Sequence, residues 1–132
     1  MNKELYREKI EQEIIGITLK EDSSIIFNKK DGTNIEIGYY HEQDCCENVY
    51  ADITAINYYI SDIINKKYEE IIIKSIPEMG FMICLYRDWD DSEKIFIPCY
   101  NSQNGYYSGN LKLIINKELE IDISDCVEDN IY

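Results

Sequence analysis

The stretch "IIFNKKDGTNIEIGYY", residues 25–40, carries the clearest structural signal in the chain. It begins with a short apolar run and then alternates over residues 34–41, which places every second side chain on one face of a strand. Between these parts lies Asp31-Gly32, a hairpin signal because glycine tolerates the positive φ that a tight turn needs. The stretch therefore predicts two antiparallel strands joined by a short turn.

The charged segment upstream, "NKELYREKIEQE" (residues 2–13), consists largely of good helix formers. Tyr6, Ile10 and Ile14 recur every four residues, the spacing of a narrow apolar stripe on a helix. We therefore expect an N-terminal helix over residues 1–14. The following "ITLKE" predicts one more strand before the hairpin.

A second helix is predicted over residues 57–68, "NYYISDIINKKY". Ile60, Ile63 and Ile64 follow helical spacing. The β-branched isoleucines oppose this interpretation, because their side chains are restricted in a helix.

The second half of the chain favours an antiparallel meander of four strands. The candidates are separated by turn-forming segments and read "EEIIIKSI", "GFMICLYR", "KIFIPCY" and "YYSGNLKLII". Pro98 in the third candidate indicates an edge or a bulge, since proline cannot donate to a ladder.

These elements predict a single α+β domain. We expect a twisted, mainly antiparallel sheet of about six to seven strands, with an N-terminal helix and one helix packed on the sheet. The domain would comprise the N-terminal helix (1–14), an α+β core (15–116) and an acidic C-terminal segment (117–132).

The formal net charge of -13, from 26 acids and 13 bases, bounds the type of partner. Such a chain repels nucleic acid unless its lysines and arginines are clustered on one surface, and the sequence shows no basic patch. We therefore expect no direct nucleic-acid binding and a partner protein with a basic surface, such as a nucleic-acid-binding complex.

The N-terminus lacks the apolar region of a signal peptide, and no apolar run is long enough to span a bilayer. We expect a protein of the bacterial host cytoplasm that does not bind membranes. The five cysteines, an odd number, then predict reduced thiols rather than a disulfide framework.

The stretch "HEQDCCENVY", residues 41–50, looks like a site of chemistry. A metal site is one interpretation, but adjacent cysteines lack the Cys-x2-Cys spacing of structural zinc sites, and Cys84 and Cys99 would have to lie close to complete the set. A thiol nucleophile is another, but neighbouring acids disfavour thiolate. We favour a structural corner without metal, cofactor or catalytic residues, formed by His41, Gln43, Asp44, Cys45, Cys46 and Glu47.

Two other segments predict a contact surface. "YRDWDDSE" places a tryptophan among acids, and "NGYYS" follows a turn dipeptide with two tyrosines, a residue type enriched in binding hot spots. The candidate partner-binding residues are Asp88, Trp89, Asp90, Asp91, Glu93, Tyr106 and Tyr107.

The stretches "YHEQDCCENVY" and "NGYYSGNLKL" resemble an uncharacterised family found in phages, prophages and bacteria. Its marks are a His-acid-Gln-Asp-Cys-Cys-Glu motif and a Gly-Tyr-Tyr-Ser hairpin. The resemblance spans roughly residues 13–115 and implies a genomic setting and a common fold. It implies no activity.

The sequence thus predicts a non-enzymatic acidic interaction protein of phage or mobile-element origin. Its target would be a host nucleic-acid-binding defence complex, inhibited as an anti-CRISPR protein would inhibit it, by occupying a basic surface. One alternative is a small-ligand or metal-binding domain centred on His41, Cys45 and Cys46. Another is an enzyme that uses Cys45 or Cys46 with His41.

Overall fold

Strands dominate the computed structural model, which describes residues 2–21, 23–41, 49–87, 92–101 and 110–129. In chain order the strands are β1 Glu4–Lys20, β2 Ser24–Lys29, β3 Asn34–Tyr40, β4 Val49–Ala51, β5 Lys66–Ile76, β6 Gly80–Tyr86, β7 Ser92–Asn101, β8 Lys112–Ile115, β9 Leu119–Asp122 and β10 Glu128–Asp129. Three short helical segments join them, namely a 3-10 helix Ile53–Tyr58, α1 Ile60–Ile63 and a 3-10 helix Ser124–Cys126.

The strands form one sheet in the order β10-β7-β6-β5-β1-β2-β3-β8-β9, with β4 also paired to β7. Every ladder is antiparallel except that between β10 and β7, which is parallel. The long strand β1 is shared by both halves of the sheet. Its residues 4–14 pair with β5, and its residues 14–20 pair with β2.

The sheet bends at β1 and folds back on itself. The register of β1 shifts between Lys9 and Gln12 and again between Ile14 and Gly16, and such irregularities bend a strand. The two halves then meet again at other points. Asn116, in the turn between β8 and β9, donates from Nδ2 to the Glu8 carboxylate of β1 at 3.2 Å.

The core lies between the two halves. Phe27, Ile37 and Leu113 face it from one half, and Ile73 and Ile83 face it from the other, each with an exposed fraction of at most 1%. The first 3-10 helix contacts both β7 and β2 and contributes the buried side chains of Ile53 and Ile56. It thus contacts a strand from each half of the sheet.

The N-terminal helix predicted over residues 1–14 is wrong, because this segment forms most of β1. Recurrence of Tyr6, Ile10 and Ile14 every four residues approximates a helical period of 3.6, but it fits a strand period of two equally well. Pairing with β5 and β2 outweighs the intrinsic helix propensity of these residues.

The helix predicted over residues 57–68 is also wrong. Helical structure ends at Ile63, Asn65 adopts a left-handed φ of 64°, and β5 begins at Lys66. Asparagine tolerates this conformation better than most residues, so Asn65 turns the chain directly into the strand.

The α+β class is therefore corrected. The fold is mostly an antiparallel sheet of ten strands rather than six to seven, and within the described residues no helix reaches seven residues. The expected packed helices are replaced by single helical turns. None of these turns is long and apolar enough to cross a membrane.

The prediction for the hairpin is confirmed, whereas the four-strand meander is confirmed only for its first three strands, because the fourth, β8, pairs with β3 and β9 instead of β7. β2 and β3 pair from Ser24↔Gly38 to Asn28↔Asn34 around the Asp31-Gly32 turn. β5, β6 and β7 follow one another as antiparallel neighbours. The C-terminal segment adds β9, the second 3-10 helix and β10 to this arrangement.

Candidate functional site

The residues that flank two of the quoted motifs meet at one corner of the molecule. His41, the first residue of "HEQDCCENVY", contacts the carbonyl oxygen of Asn110 through Nδ1. Val49, near the end of that stretch, pairs with Asn101 in the ladder between β4 and β7. Because Asn101 and Asn110 flank "NGYYS", the fold brings together the residues that bracket both segments.

A hydrogen-bonded turn after β9 supports this corner. Asp122 Oδ1 accepts from the backbone N–H of Ser124 at 2.9 Å and from its hydroxyl at 2.5 Å. The hydroxyl oxygen of Ser124 in turn accepts from the N–H of Leu111 at 3.2 Å. The Ser124 hydroxyl, and then the Ser124 N–H, lower the pKa of Asp122, so this carboxylate stays ionised at neutral pH.

Two adjoining pockets lie on this turn and share Asp122 and Ser124. The first has a volume of about 270 Å³ and is also lined by Tyr40, Asn110, Leu111 and Lys112. The second, of about 430 Å³, is also lined by Lys3, Leu5, Ser75 and Asp125. Their linings mix both signs of charge, which suits a polar contact better than an apolar ligand.

Most residues predicted to form a site lie outside the described part of the chain. They are Gln43, Asp44, Cys45, Cys46, Glu47, Asp88, Trp89, Asp90, Asp91, Tyr106 and Tyr107. Their roles stay predictions.

The strand ends on either side of the Trp89 segment lie far from this corner. The segment's neighbours Tyr86 and Ser92 pair at one end of the ladder between β6 and β7, and Gly80 and Pro98 pair at the other. Seven residues of strand separate the two ends by about 20 Å. At the Trp89 end, the carboxylate of Glu93 lies 3.6 Å from Lys66 Nζ.

Three cysteines are described, and all are buried. Burial raises the pKa of Cys99, and it raises that of Cys126 to about 12. Burial also raises the pKa of Cys84, although Lys74 and Lys94 partly oppose this. These thiols are protonated at neutral pH and are therefore poor nucleophiles.

Cys84 and Cys99 do not share a face of the sheet. Cys99 belongs to the core together with Ile95 and Ile97 of β7, whereas Cys84 pairs with Lys94 on the opposite face. Among the described residues, no group of three His, Cys, Asp or Glu side chains could hold a metal ion. Cys84 and Cys99 therefore cannot complete one metal site together, because the register of β6 and β7 places them on opposite faces of the sheet.

One half of the sheet carries an acidic outer surface. Because Ile35, Ile37 and Leu113 point into the core, alternate residues of β3 and β8 point outward, and β9 continues this surface through its pairing with β8. We call this surface the carboxylate face. It includes Glu36, Gly38, Ile114, Glu120 and Asp122, and also Lys112, which pairs with Asp122 and whose Nζ lies 3.5 Å from Glu120 Oε1.

The other half carries an outer surface that the sequence did not reveal. Phe81, Ile83 and Ile95 point into the core, so alternate residues of β5, β6 and β7 point outward. We call this surface the lysine face. It consists of Ile72, Lys74, Met82, Lys94 and Phe96.

Acids beside the lysine face are already paired. Two of these acids, Glu4 and Glu70, form ion pairs with Arg7. Nη2 of Arg7 lies 2.8 Å from the Glu4 carboxylate, and Nη1 lies 2.8 Å from the Glu70 carboxylate. Lys94 is exposed and forms no ion pair within the described ranges, and Lys74 donates to the Tyr86 hydroxyl at 3.4 Å. Only the strand register brings these two lysines together, which is why no basic patch is visible in the sequence.

Comparison with known proteins bears on the chain as a whole. A family model described as "Domain of unknown function (DUF7448)" matches residues 2–113, from the start of β1 into β8. No curated protein matches the chain, and no solved structure matches it. The description of the family names no activity.

Proposed function

The chain belongs to the DUF7448 family, and on that premise we propose that it is a non-enzymatic interaction protein of phage or mobile-element origin. It acts in the cytoplasm of the bacterial host. Its target is a nucleic-acid-binding defence complex, whose basic surface it occupies in place of nucleic acid, as an anti-CRISPR protein of the mimic type would.

The observation that carries this proposal is the excess of acids, 26 against 13 bases. A net charge of -13 on 132 residues attracts a basic groove and speeds the encounter with it. The carboxylate face gives this charge a fixed geometry. Glu120 and Asp122 are alternate residues of β9, so their Cα atoms lie about 6.6 Å apart, comparable to successive phosphates along a nucleic-acid strand.

The role requires carboxylates that are in place before a partner binds, and the ladder between β8 and β9 fixes the backbone of Glu120 and Asp122. Glu120 pairs with Ile114 and Asp122 with Lys112 in the ladder to β8. The turn at Ser124 fixes the Asp122 side chain. Preorganised charges lose little conformational entropy on binding, so more of the electrostatic attraction appears as affinity.

A test begins with the immobilised protein and a lysate of a candidate host. We expect retained proteins to be nucleic-acid-binding and to elute as salt is raised. Glu36→Lys with Glu120→Lys reverses two charges of the carboxylate face, and we expect this to weaken retention about tenfold. Added wild-type protein should also displace nucleic acid from the purified complex in a gel-shift assay.

The matched control is Asp62→Lys with Glu69→Lys. Both acids are exposed and lie in α1 and β5, away from the carboxylate face, and the change in net charge is the same. We expect clearly stronger retention by this control than by the carboxylate-face variant. Equal retention by the two variants, or retention that ignores salt, would contradict the proposal.

A further inference from the structure

We propose that the lysine face of one copy docks on the carboxylate face of a second copy, so that the chain self-associates head to tail. This interaction goes beyond the proposed function and does not depend on it. It follows from three properties of the outer surface, namely the charge of each face, the shape of each face and their placement on different halves of the sheet.

The lysine face suits a protein contact. Met82 and Phe96 pair across β6 and β7 and are half-buried, next to the buried side chains of Ile72 and Cys84 on the same side of the sheet. Lys74 and Lys94 flank this apolar centre. They are two strands and two residues apart, which places their Cα atoms about 12 Å from each other.

The carboxylate face has the complementary chemistry. Its apolar centre is the half-buried Ile114, which pairs with Gly38 on one side and Glu120 on the other. Glu36 and Asp122 supply further negative charge around it, so the three acids outnumber Lys112, which pairs with Glu120 at 3.5 Å. Apolar centres would therefore meet while lysines approach carboxylates, the arrangement that excludes water around an ion pair.

The shape of the carboxylate face provides a recess for a side chain. A depression of about 320 Å³ lies over Gly38 and is lined by Ser24, Glu36, Ile114 and Lys117 among others. Glycine creates this space, because a Cβ at position 38 would lie 2.6 Å from Ser24 Oγ. We expect an aromatic side chain of the second copy, such as Phe96, to contact this recess.

The two faces differ, so the contact is heterologous. Each pair of copies retains an unused lysine face on one copy and an unused carboxylate face on the other. Repulsion between copies of charge -13 opposes association at long range. At about 0.15 M salt the Debye length is about 8 Å, which screens this repulsion but acts less on ion pairs in contact. We therefore expect weak association that is visible at physiological rather than very low ionic strength.

Sedimentation equilibrium of the purified protein at about 0.15 M salt tests the inference. We expect the weight-average mass to rise above that of the monomer as the concentration approaches about 1 mM. Lys74→Glu with Lys94→Glu should weaken association at least tenfold, and so should Glu36→Lys with Glu120→Lys. An equimolar mixture of the two variants should associate again, because each supplies the face that the other lacks.

A control variant separates an effect of net charge from an effect of the two faces. Asp62→Lys with Glu69→Lys changes the net charge but neither face, so it should not weaken association. A wild-type protein that stays monomeric throughout overturns the inference, and so does a mixture of folded variants that fails to associate. If the lysine face instead binds a labelled oligothymidylate, and the lysine variant loses that binding, the occupant is nucleic acid and the inference is wrong.

The same variants separate this inference from the proposed function. The lysine-face variant retains an intact carboxylate face, so it should still bind a basic partner while it no longer self-associates. Loss of both properties in that variant would show that the two faces do not act independently.

Discussion

The two outer faces of the sheet are built on the same core but present opposite chemistry. On the half formed by β5, β6 and β7, Lys74 and Lys94 surround an apolar centre. On the half formed by β3, β8 and β9, the carboxylates of Glu36 and Glu120 do so, with Lys112 3.5 Å from Glu120. The contrast arises from strand register, since the sequence intermixes lysines and acids throughout.

The largest expected effects concern the shared core, where the two halves should behave alike. Ile83 and Leu113 are fully buried, one on each half. We expect Ile83→Ala and Leu113→Ala each to lower the free energy of unfolding by about 3–4 kcal/mol, through lost burial and a residual cavity. Urea denaturation measures both. A cost below about 1 kcal/mol for Leu113→Ala alone would show that the core beneath the carboxylate face is loosely packed or collapses around the cavity.

The next effects distinguish the halves through one glycine in each. At Gly80, with a φ of 155°, an added Cβ would lie 2.1 Å from the carbonyl oxygen of Ile97, which is backbone and cannot move aside. We expect Gly80→Ala to cost about 3 kcal/mol or more. At Gly38 the nearest atom belongs to the serine side chain of position 24, which can rotate, so Gly38→Ala should cost about 1 kcal/mol.

Thermal and urea unfolding of both glycine variants give the comparison. Equal costs would mean that the approach of β6 to β7 at Gly80 relaxes as readily as a side chain does. Gly38→Ala also fills the recess in the carboxylate face, so sedimentation of this variant additionally reports on self-association.

The smallest effect is a pH dependence in the turn between β2 and β3. Asp31 accepts from the Thr33 hydroxyl and from Gln12 Nε2, and these bonds, the Thr33 hydroxyl first, lower its pKa to about 2. A lowered pKa in the folded state stabilises the protein above the unfolded value of 3.8, and the contribution disappears as the pH falls through about 2. Asp31→Asn should therefore be destabilised at pH 5 and converge with wild type toward pH 2.

Unfolding of wild type and Asp31→Asn between pH 5 and pH 2 measures this dependence, with Asp62→Asn as an exposed control. NMR titration of the Asp31 carboxyl carbon checks the pKa directly. A difference in stability that stays constant over this pH range would mean that the Asp31 carboxylate does not stabilise the turn through its charge.

Local signals in the sequence identified the hairpin, because the Asp31-Gly32 turn and the alternation around Ile35 and Ile37 act on neighbouring residues. They misidentified β1, because a repeat of four at Tyr6, Ile10 and Ile14 satisfies both helix and strand. The partner that settles the matter is β5, more than fifty residues away along the chain. Pairing over such a distance leaves no mark in a short window.

The candidate surfaces were predictable only in part. The quoted motifs directed attention to "HEQDCCENVY" and "NGYYS", and the fold pairs their flanking residues, His41 with Asn110 and Val49 with Asn101. The lysine face was missed because Lys74 and Lys94 lie on different strands. The alternation of Lys94 and Phe96 with Ile95 and Ile97 was the available signal, but the strand register was needed to use it.

The divided pairing of β1 has a consequence for synthesis on the ribosome. Its C-terminal half finds a partner at once, since Lys20 pairs with Ser24, whereas its N-terminal half pairs with β5, as Tyr6 does with Ile73. The N-terminal half of β1 thus leaves the exit tunnel before its partner strand β5 has been translated. A slow step before β5 emerges would leave this charged segment open to solvent, and its many acids and bases keep it from pairing with other nascent chains in the meantime.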